Sequence, residues 1–214
     1  MNVSYNAAMK YEKHPAAEAR GPGRPREFEM SAVVDGAIRI FRERGYHATS
    51  VGDLSAATGL TAGSLYKAFG DKRGVFIAAF DRYVEMRHAK IQAGLGAEST
   101  GRDRIRAVLQ VYADVSFGTE GRQGCLVLSC AMTLASFDEE VAQKIAASMR
   151  RTEDLLRRLV REGQKDGSIA QDVKADASAR ALLAMLQGFR AIGKFGQSRD
   201  EMRAVVDETL RLLR

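Results

Sequence analysis

The sequence has two cysteines, Cys125 and Cys130, whose thiols could act as nucleophiles. They are five residues apart, about 140° around a helix, so within one helix they point in different directions and do not pair. Cys125 follows the segment Gly121–Gly124 at a predicted helix start, where the helix dipole lowers a thiol pKa and favours the thiolate. Two interpretations stay open: buried small apolar residues, or the site of a redox or electrophile sensor.

Other spacings that resemble catalytic or cofactor motifs are incomplete. Glu85 and His88 have the Glu-x-x-His spacing of di-iron bundles, but such sites need a second pair, and neither other histidine has a glutamate three residues before it. The segment Gly94–Ser99 lacks the third glycine of a dinucleotide-binding loop, and no predicted strand precedes it. Because no nucleophile–base pair is visible either, we expect no enzyme, no metal and no cofactor.

The elements that must position these residues are helices. All three prolines lie in the first 25 residues, and the rest of the chain is rich in Ala, Leu, Arg and Glu. An apolar stripe at steps of three and four residues begins near Phe28 and ends at Gly45. No segment alternates as a strand would, so the sequence predicts an all-α protein. Later helices are predicted over about 102–117, 125–136, 138–165, 174–195 and 199–213, with a break at 118–124.

Two short helices follow the first helix. Ser50 and Asp53 form a predicted capping box, in which each side chain satisfies a backbone amide of the other residue. A turn around Gly59 leads to Thr61, which caps a third helix, and Asp71 caps a fourth. Two short helices joined by a glycine-containing turn, behind a longer helix, predict a helix-turn-helix.

The segment 45–76 resembles the DNA-binding domain of the TetR/AcrR family of repressors. That family has Gly-aromatic, then Thr-Ser/Thr, a short helix, and Ser/Thr-x-Gly-x-x-Tyr-x-x-Phe followed by Lys. The matching positions here are Gly45, Tyr46, Thr49, Ser50, Thr58, Gly59, Thr61, Gly63, Tyr66, Phe69 and Lys72. The chain departs from the pattern at Ala68, where the family often has His or Tyr. Its C-terminal part resembles the family only in being helical and of matching length.

The resemblance implies which residues bind DNA. Small residues let the recognition helix enter the major groove, and cations and hydrogen-bond donors reach the phosphates. These residues are Thr49, Ser50, Thr61, Ala62, Gly63, Tyr66, Lys67 and Lys72. The segment Gly23–Arg26 also resembles an AT-hook, an extended arm whose arginines, here Arg24 and Arg26, lie in the minor groove of A·T-rich DNA. A solvated tail is the alternative interpretation of this arm.

The helices beyond residue 72 are expected to bind a small molecule and to form the dimer, as the resemblance implies. The last two carry wide apolar stripes, with small residues that permit close approach of another helix. The predicted dimer interface comprises Ala181, Ala184, Met185, Gly188, Ile192, Val206 and Leu210. The residues predicted to contact the ligand are Tyr112, Phe117, Cys130, Met149 and Phe189.

Three parts are therefore predicted: a flexible basic arm over 1–26, a helix-turn-helix domain over 27–72, and a ligand-binding and dimerisation domain over 73–214. The net charge of +6 favours an anionic partner, and the N-terminus has no apolar signal core. The longest uncharged apolar stretch, 125–137, is too short to span a membrane, so we expect no membrane partner. Two cysteines fit a reducing compartment, here the cytoplasm.

The predicted function is a cytoplasmic, homodimeric transcription regulator, a repressor released from a palindromic DNA operator by a small-molecule effector. Two alternatives stay open: an architectural DNA-binding dimer without an effector, and a repressor that senses oxidants or electrophiles through Cys125 or Cys130. A helical enzyme is a further class, but no catalytic constellation in the sequence supports it.

Overall fold

The computed structural model describes residues 24–96, 100–133 and 138–213, and all regular structure within these ranges is helical. The α-helices are α1 (Arg24–Ala48), α2 (Val51–Thr58), α3 (Ala62–Phe69), α4 (Lys72–Leu95), α5 (Gly101–Asp114), α6 (Gly118–Gln123), α7 (Leu126–Thr133), α8 (Glu139–Asp166), α9 (Ala175–Ile192) and α10 (Arg199–Arg211). A 3-10 turn, Gly193–Phe195, follows α9. The predicted all-α fold class is confirmed. Within the described ranges, no helix is long and apolar enough to cross a membrane.

Helix α1 begins earlier than predicted, at Arg24. Residues 24–26 form its first turn, which tolerates Pro25 because amides at a helix start have no intrahelical acceptor. The extended AT-hook conformation predicted for Arg24 and Arg26 is therefore wrong, and their side chains and residues 1–23 lie outside the described part of the chain. At the other end, Gly45 has φ of 76° and ψ of 171°, which breaks the helix at the predicted stop.

The predicted caps fix the short helices. The Ser50 hydroxyl accepts the Asp53 amide at 3.1 Å, and the Asp53 carboxylate accepts the Ser50 amide at 2.9 Å, so the capping box is confirmed. Thr61 and Asp71 each accept the amide three residues later, at 3.2 and 2.7 Å. Helix α2 packs closely on α1 at Gly36, because a Cβ there would lie 2.3 Å from a backbone carbonyl oxygen of α2. The caps and this contact orient α3.

Two apolar cores hold the helices together. The first core joins the inner faces of α1, α2, α3 and α7 to the start of α8, and the second joins α5, α9 and α10 to the rest of α8. Helix α4 contributes Phe76 and Phe80 to the first core and Ile91 to the second. The first core thus extends from the helix-turn-helix into later helices, and the domain boundary at residue 72 stays a prediction.

The predicted break at 118–124 is wrong, because α6 occupies most of it. The glycines of this region allow the chain to turn and also allow neighbouring segments to pack closely. Gly118 has φ of 57°, and a Cβ at Gly193 would lie 2.4 Å from the Ser116 carbonyl oxygen. These glycines therefore let α6 and the turn after α9 approach the end of α5.

Candidate functional site

Helix α3 presents most of its surface to solvent. Leu65 is buried beneath it and Phe69 is half-buried, whereas the other six residues are exposed. Tyr66 has 44% of its surface exposed, so it does not pack in the core. The exposed residues are Ala62, Gly63, Ser64, Tyr66, Lys67 and Ala68. The structure thus places Ala62, Gly63, Tyr66 and Lys67 on one accessible helix, next to the cap residue Thr61.

Thr49 and Ser50 lie nearby, but their donors are already engaged. Thr49 is 1% exposed, and its hydroxyl donates to the Gly45 carbonyl at 2.6 Å. The amide and the hydroxyl of Ser50 both donate to Oδ2 of Asp53, at 2.9 and 2.7 Å. A buried hydroxyl needs an internal partner, so the prediction that Thr49 contacts DNA is wrong. We assign Ser50 to the cap of α2 rather than to a phosphate.

Lys72 begins α4 beside the aromatic ring of Tyr46. Its Nζ lies 4.5 Å from the ring centroid, which is a cation–π contact. Burial, followed by the carboxylates of Asp71 and Asp138, raises the pKa of Tyr46, so its ring is neutral at physiological pH. The neutral ring restricts where the Lys72 ammonium lies, close to the end of α3.

An ion-pair cluster that sequence reasoning missed joins the start of α4 to the start of α8. Arg73 donates to both carboxylate oxygens of Asp138, at 2.6 and 2.9 Å, and to Glu140 at 2.7 Å. The Arg73 hydrogen bonds, followed by the amide of Val141, lower the pKa of Asp138 to about 2. No local pattern reveals this cluster, because Asp138 and Glu140 lie 65 and 67 residues after Arg73 in the sequence.

A cleft of about 400 Å³ lies between α1, α4, α5 and α6. Of the predicted ligand residues, Tyr112 lines this cleft. Phe117 and Phe189 belong to the second core, and Cys130 and Met149 belong to the first. These five residues therefore do not line one cleft as predicted, because all of them, Tyr112 included, pack within or against the apolar cores.

The acidic residues of the cleft are paired with arginines. Asp35 accepts two hydrogen bonds from Arg82, at 2.7 and 2.8 Å. Glu120 forms an ion pair with Arg42 at 2.9 Å. Among the described residues, no carboxylate forms an ion pair with the other cations that line the cleft, namely Arg39, Arg87 and Lys90. The cleft therefore carries an excess of positive charge over an apolar lining.

Cys125 lies beside two arginines at the start of α7. Nη1 of Arg87 is 3.7 Å from its Sγ. Burial alone would raise the pKa of the Cys125 thiol, but the guanidinium groups of Arg87 and Arg190 outweigh it and lower the pKa. Burial, together with the nearby Cys125, raises the pKa of Cys130 to about 12. The pKa values of the two thiols are thus shifted in opposite directions, and the thiolate form is favoured at Cys125 relative to Cys130.

Arg190 is 1% exposed and is the largest fully buried side chain in the described ranges. Its Nη1 donates to Ser116 Oγ at 3.3 Å, and its Nη2 donates to the Gly124 carbonyl at 2.5 Å. It has no carboxylate partner among the described residues. A buried cation without a carboxylate partner is costly, and Arg190 is one of the two guanidinium groups that lower the pKa of the Cys125 thiol.

Family models match both halves of the chain. Residues 33–79 match "Bacterial regulatory proteins, tetR family", and residues 101–209 match "Tetracyclin repressor-like, C-terminal domain". The chain belongs to the TetR family. It is therefore a DNA-binding transcription regulator, with an N-terminal helix-turn-helix and a C-terminal helical domain, and the predicted resemblance is confirmed.

Relatives of this TetR-family chain are similar over most of their length. The HTH-type transcriptional repressor ComR of Escherichia coli is 29% identical over 191 residues, which are 89% of this chain and 91% of ComR. The uncharacterized HTH-type transcriptional regulator YezE of Bacillus subtilis is 28% identical over 192 residues, 89% of this chain and 99% of YezE. The similarity therefore covers both halves of the regulator.

Solved structures of TetR regulators share the fold. A cysteine mutant of the TetR family transcriptional regulator CifR, complexed with 26-base-pair operator DNA, is 26% identical with a TM-score of 0.77. The match covers 94% of this chain and all of that one. A TetR transcriptional regulator from Chloroflexus aurantiacus is 25% identical with a TM-score of 0.78, over 88% of this chain and 96% of that one. A regulator of this fold therefore binds operator DNA.

The predicted dimer residues of this TetR-family protein separate into two groups. Val206 and Leu210 are each 1% exposed and belong to the second core, so their placement at an interface is wrong. Their apolar stripe on α10 faces the interior of the protomer. The members on α9 are all at least partly accessible: Ala181, Ala184, Met185, Gly188 and Ile192. An apolar groove beside them includes Met185, Val205 and Leu212, and Leu212 is 63% exposed.

Proposed function

We propose that this TetR-family protein is a cytoplasmic, homodimeric repressor that binds a palindromic operator through α3 and leaves it when a small molecule binds. The exposed surface of α3 carries this proposal. A Cβ at Gly63 would meet no atom within 4 Å, so the start of the helix is open to a DNA groove. Small residues at this position let the helix backbone approach base edges closely.

The proposed DNA contacts are tested by substitution at Tyr66 and Lys72. Tyr66→Ala and Lys72→Ala should each weaken operator binding by about 1–3 kcal/mol per subunit, and Lys72→Ala should also flatten the dependence of affinity on salt. Binding is measured by fluorescence anisotropy over a salt series, with circular dichroism as the control for folding. Lys165→Ala, an exposed lysine in the last turn of α8, is the matched control. Unchanged affinity in both variants would contradict this placement of the recognition helix.

Dimerisation follows from the need to recognise enough bases. One recognition helix reads too few base pairs to select a genomic site, whereas two helices related by a two-fold axis read a palindrome. Met185 of α9 and Leu212 line one apolar groove, and this groove with the other accessible residues of α9 is the proposed face for the second copy. A two-fold interface would bury the same face of both protomers.

Gly188→Asp tests that interface. Within the protomer, a Cβ at this position meets no atom within 4 Å, so the substitution should leave the fold intact. At a helix–helix interface the carboxylate would be desolvated without a partner, so we expect monomers in analytical ultracentrifugation and loss of operator binding. The control is Arg203→Glu, an exposed site about two and a half turns from Leu212. A Gly188→Asp variant that remains dimeric would place the interface elsewhere.

The effector is proposed to bind in the cleft between α1, α4, α5 and α6. Helix α1 belongs to the DNA-binding unit, so a molecule in this cleft would contact both that unit and the later helices. A ligand shifts a conformational equilibrium only through its differential affinity for the two states. A metabolite screen by thermal shift, followed by operator release, separates this function from an architectural dimer, which would stay bound to DNA.

A second candidate function is supported by the setting of Cys125. The Cys125 sulfur lies 3.7 Å from Nη1 of Arg87, which favours its thiolate form, and a thiolate is a nucleophile for an electrophilic effector. N-ethylmaleimide is a suitable probe: the thiolate sulfur adds to its alkene carbon, and water supplies the proton to the other carbon. Wild type and Cys130→Ser should then lose operator binding, while Cys125→Ser should retain it. Equal inactivation of all three proteins would exclude a role of Cys125 as the sensor.

A further inference from the structure

The cleft between α1, α4, α5 and α6 has more positive than negative side chains, and this excess indicates the charge of its ligand. Its two carboxylates, Asp35 and Glu120, already form ion pairs with Arg82 and Arg42. Because an arginine already neutralises each of these carboxylates, the cleft does not favour an amine.

The remaining cations of the cleft have no acidic partner among the described residues. Arg39 is exposed and makes one long hydrogen bond, from Nη2 to the Ala57 carbonyl at 3.5 Å. Lys90 is exposed, and no hydrogen bond or ion pair of its ammonium occurs within the described ranges. Arg87 donates to Ser148 and to the Cys125 sulfur and has no carboxylate partner there. Three cations that line the cleft thus have no carboxylate partner in the described ranges.

A buried hydroxyl supplies an independent observation. Tyr112 lines the cleft, is 1% exposed, and its hydroxyl has no hydrogen-bond partner among the described residues. An unsatisfied buried hydroxyl is destabilising, so such a group in a cleft points to a ligand that accepts its hydrogen bond. The ring of Tyr112 also stacks beneath Arg87, whose Cζ lies 5.5 Å from the ring centroid.

We propose that this cleft binds an amphipathic anion, a small carboxylate with an apolar body, an inference that rests on the proposed effector function. The carboxylate accepts one hydrogen bond from the Tyr112 hydroxyl and lies among Arg39, Arg87 and Lys90. The apolar body packs on side chains such as Met86 and Val111, which also line the cleft. A cleft of about 400 Å³ has the size of an ordinary small-molecule site.

The same geometry offers a route from the ligand to the DNA-binding helices. Arg39 lies on α1 and donates to Ala57 in α2, the helix that precedes the recognition helix. A carboxylate that recruits Arg39 competes with this long hydrogen bond. It therefore changes the connection between α1 and α2, which supports α3, and favours a conformation with weaker operator affinity.

The first test uses carboxylates and their uncharged counterparts. Octanoate and phenylbutyrate, each beside its primary amide, are titrated into the full-length, DNA-free protein by calorimetry. We expect each carboxylate to bind about tenfold to a hundredfold more tightly than its amide, because a hydrogen bond to a charged group is stronger than one to a neutral group. Equal binding of carboxylate and amide would overturn the inference.

Variants then locate the site. Arg39→Gln with Lys90→Gln should reduce carboxylate affinity about threefold to tenfold and leave amide affinity unchanged, whereas the remote variant Lys165→Gln should change neither. Tyr112→Phe should reduce carboxylate affinity without lowering the melting temperature of the ligand-free protein, because it removes a hydroxyl that has no partner among the described residues. Carboxylate affinity that is equal in all of these proteins would overturn this assignment of the site.

Operator binding distinguishes this inference from the function on which it rests. A protein that binds operator DNA but none of the carboxylates would overturn the anion assignment and leave the regulator intact. A protein that binds carboxylates in the cleft but never binds operator DNA would overturn the proposed function and support the anion site. Release of operator DNA by the carboxylates but not by their amides is the result expected if both are correct.

Discussion

The cations around α3 and the cations around Cys125 differ in what surrounds them. Lys67 is exposed, and Lys72 lies against an aromatic ring at the protein surface. Arg190, by contrast, is 1% exposed, and neither it nor Arg87 has a carboxylate partner in the described ranges. A cation at the surface is hydrated by water until it binds a phosphate. A cation in the interior has lost that water, so polar groups of the protein must stabilise it. In the proposed function, the charges near α3 therefore serve recognition, whereas those near Cys125 organise the interior.

The largest effect that tests this difference is expected from Arg190→Ala. It should lower the free energy of unfolding by about 2–5 kcal/mol, because a large buried side chain is replaced by a cavity. Lys67→Ala should change it by less than about 0.5 kcal/mol while it weakens operator binding. Chemical denaturation measures both. Arg190→Met keeps most of the volume without the charge, and its stability should lie well above that of Arg190→Ala. Similar stabilities for Arg190→Ala and Lys67→Ala would contradict the difference proposed between the buried and the surface cations.

The two cysteines should respond to pH in opposite directions. The pKa of Cys125 is lowered from 9.0 in the fold, so the stability it contributes grows as pH rises through that lowered value and is complete above 9.0. The pKa of Cys130 is raised to about 12, so its contribution is complete below 9.0 and is lost as pH rises further. Unfolding of wild type, Cys125→Ser and Cys130→Ser from neutral to alkaline pH measures both trends. Parallel curves for the three proteins would contradict them.

The smallest change in stability is expected from a substitution at Ser50, the cap of α2. It tests whether Ser50 caps the helix or contacts DNA. Ser50→Ala should destabilise the protein by about 1 kcal/mol, because it removes the capping hydroxyl. Operator affinity should change little once the protein is folded, since both Ser50 donors are engaged by Asp53. Ser50→Asn, which retains a capping acceptor, should recover most of the stability. A large loss of DNA affinity with unchanged stability would show that Ser50 contacts a phosphate.

The helix-turn-helix was predictable because its determinants are local. The capping residues Ser50, Thr61 and Asp71 act on amides three residues away, so the sequence alone places the starts of α2, α3 and α4. The spaced positions from Gly45 to Lys72 carry the family resemblance for the same reason. One prediction here was wrong: Thr49 fits a DNA-contacting position, but its hydroxyl donates to the Gly45 carbonyl of α1.

The interior of the later helices was less predictable because its determinants are distant in sequence. The stripes of α9 and α10 were identified, but which stripe faces the protomer core depends on packing against α5 and α8, and Val206 and Leu210 were misplaced for this reason. The burial of Arg190 could not be predicted from a local pattern, because its partners Ser116 and Gly124 lie 74 and 66 residues away in the sequence. Helical periodicity reports that a face is apolar, not which neighbour covers it.

The number of donors to the Gly124 carbonyl oxygen should be visible by infrared spectroscopy. It accepts from Nε and Nη2 of Arg42 at 3.1 and 2.8 Å and from Nη2 of Arg190 at 2.5 Å, so α1 and α9 share one acceptor. Strong donation to a peptide oxygen lengthens its C=O bond and lowers the stretching frequency. Isotope-edited infrared spectra with a single ¹³C=¹⁸O label at Gly124 would therefore show a red-shifted band, and that band would move to higher frequency whenever α1 and α9 separate at this peptide.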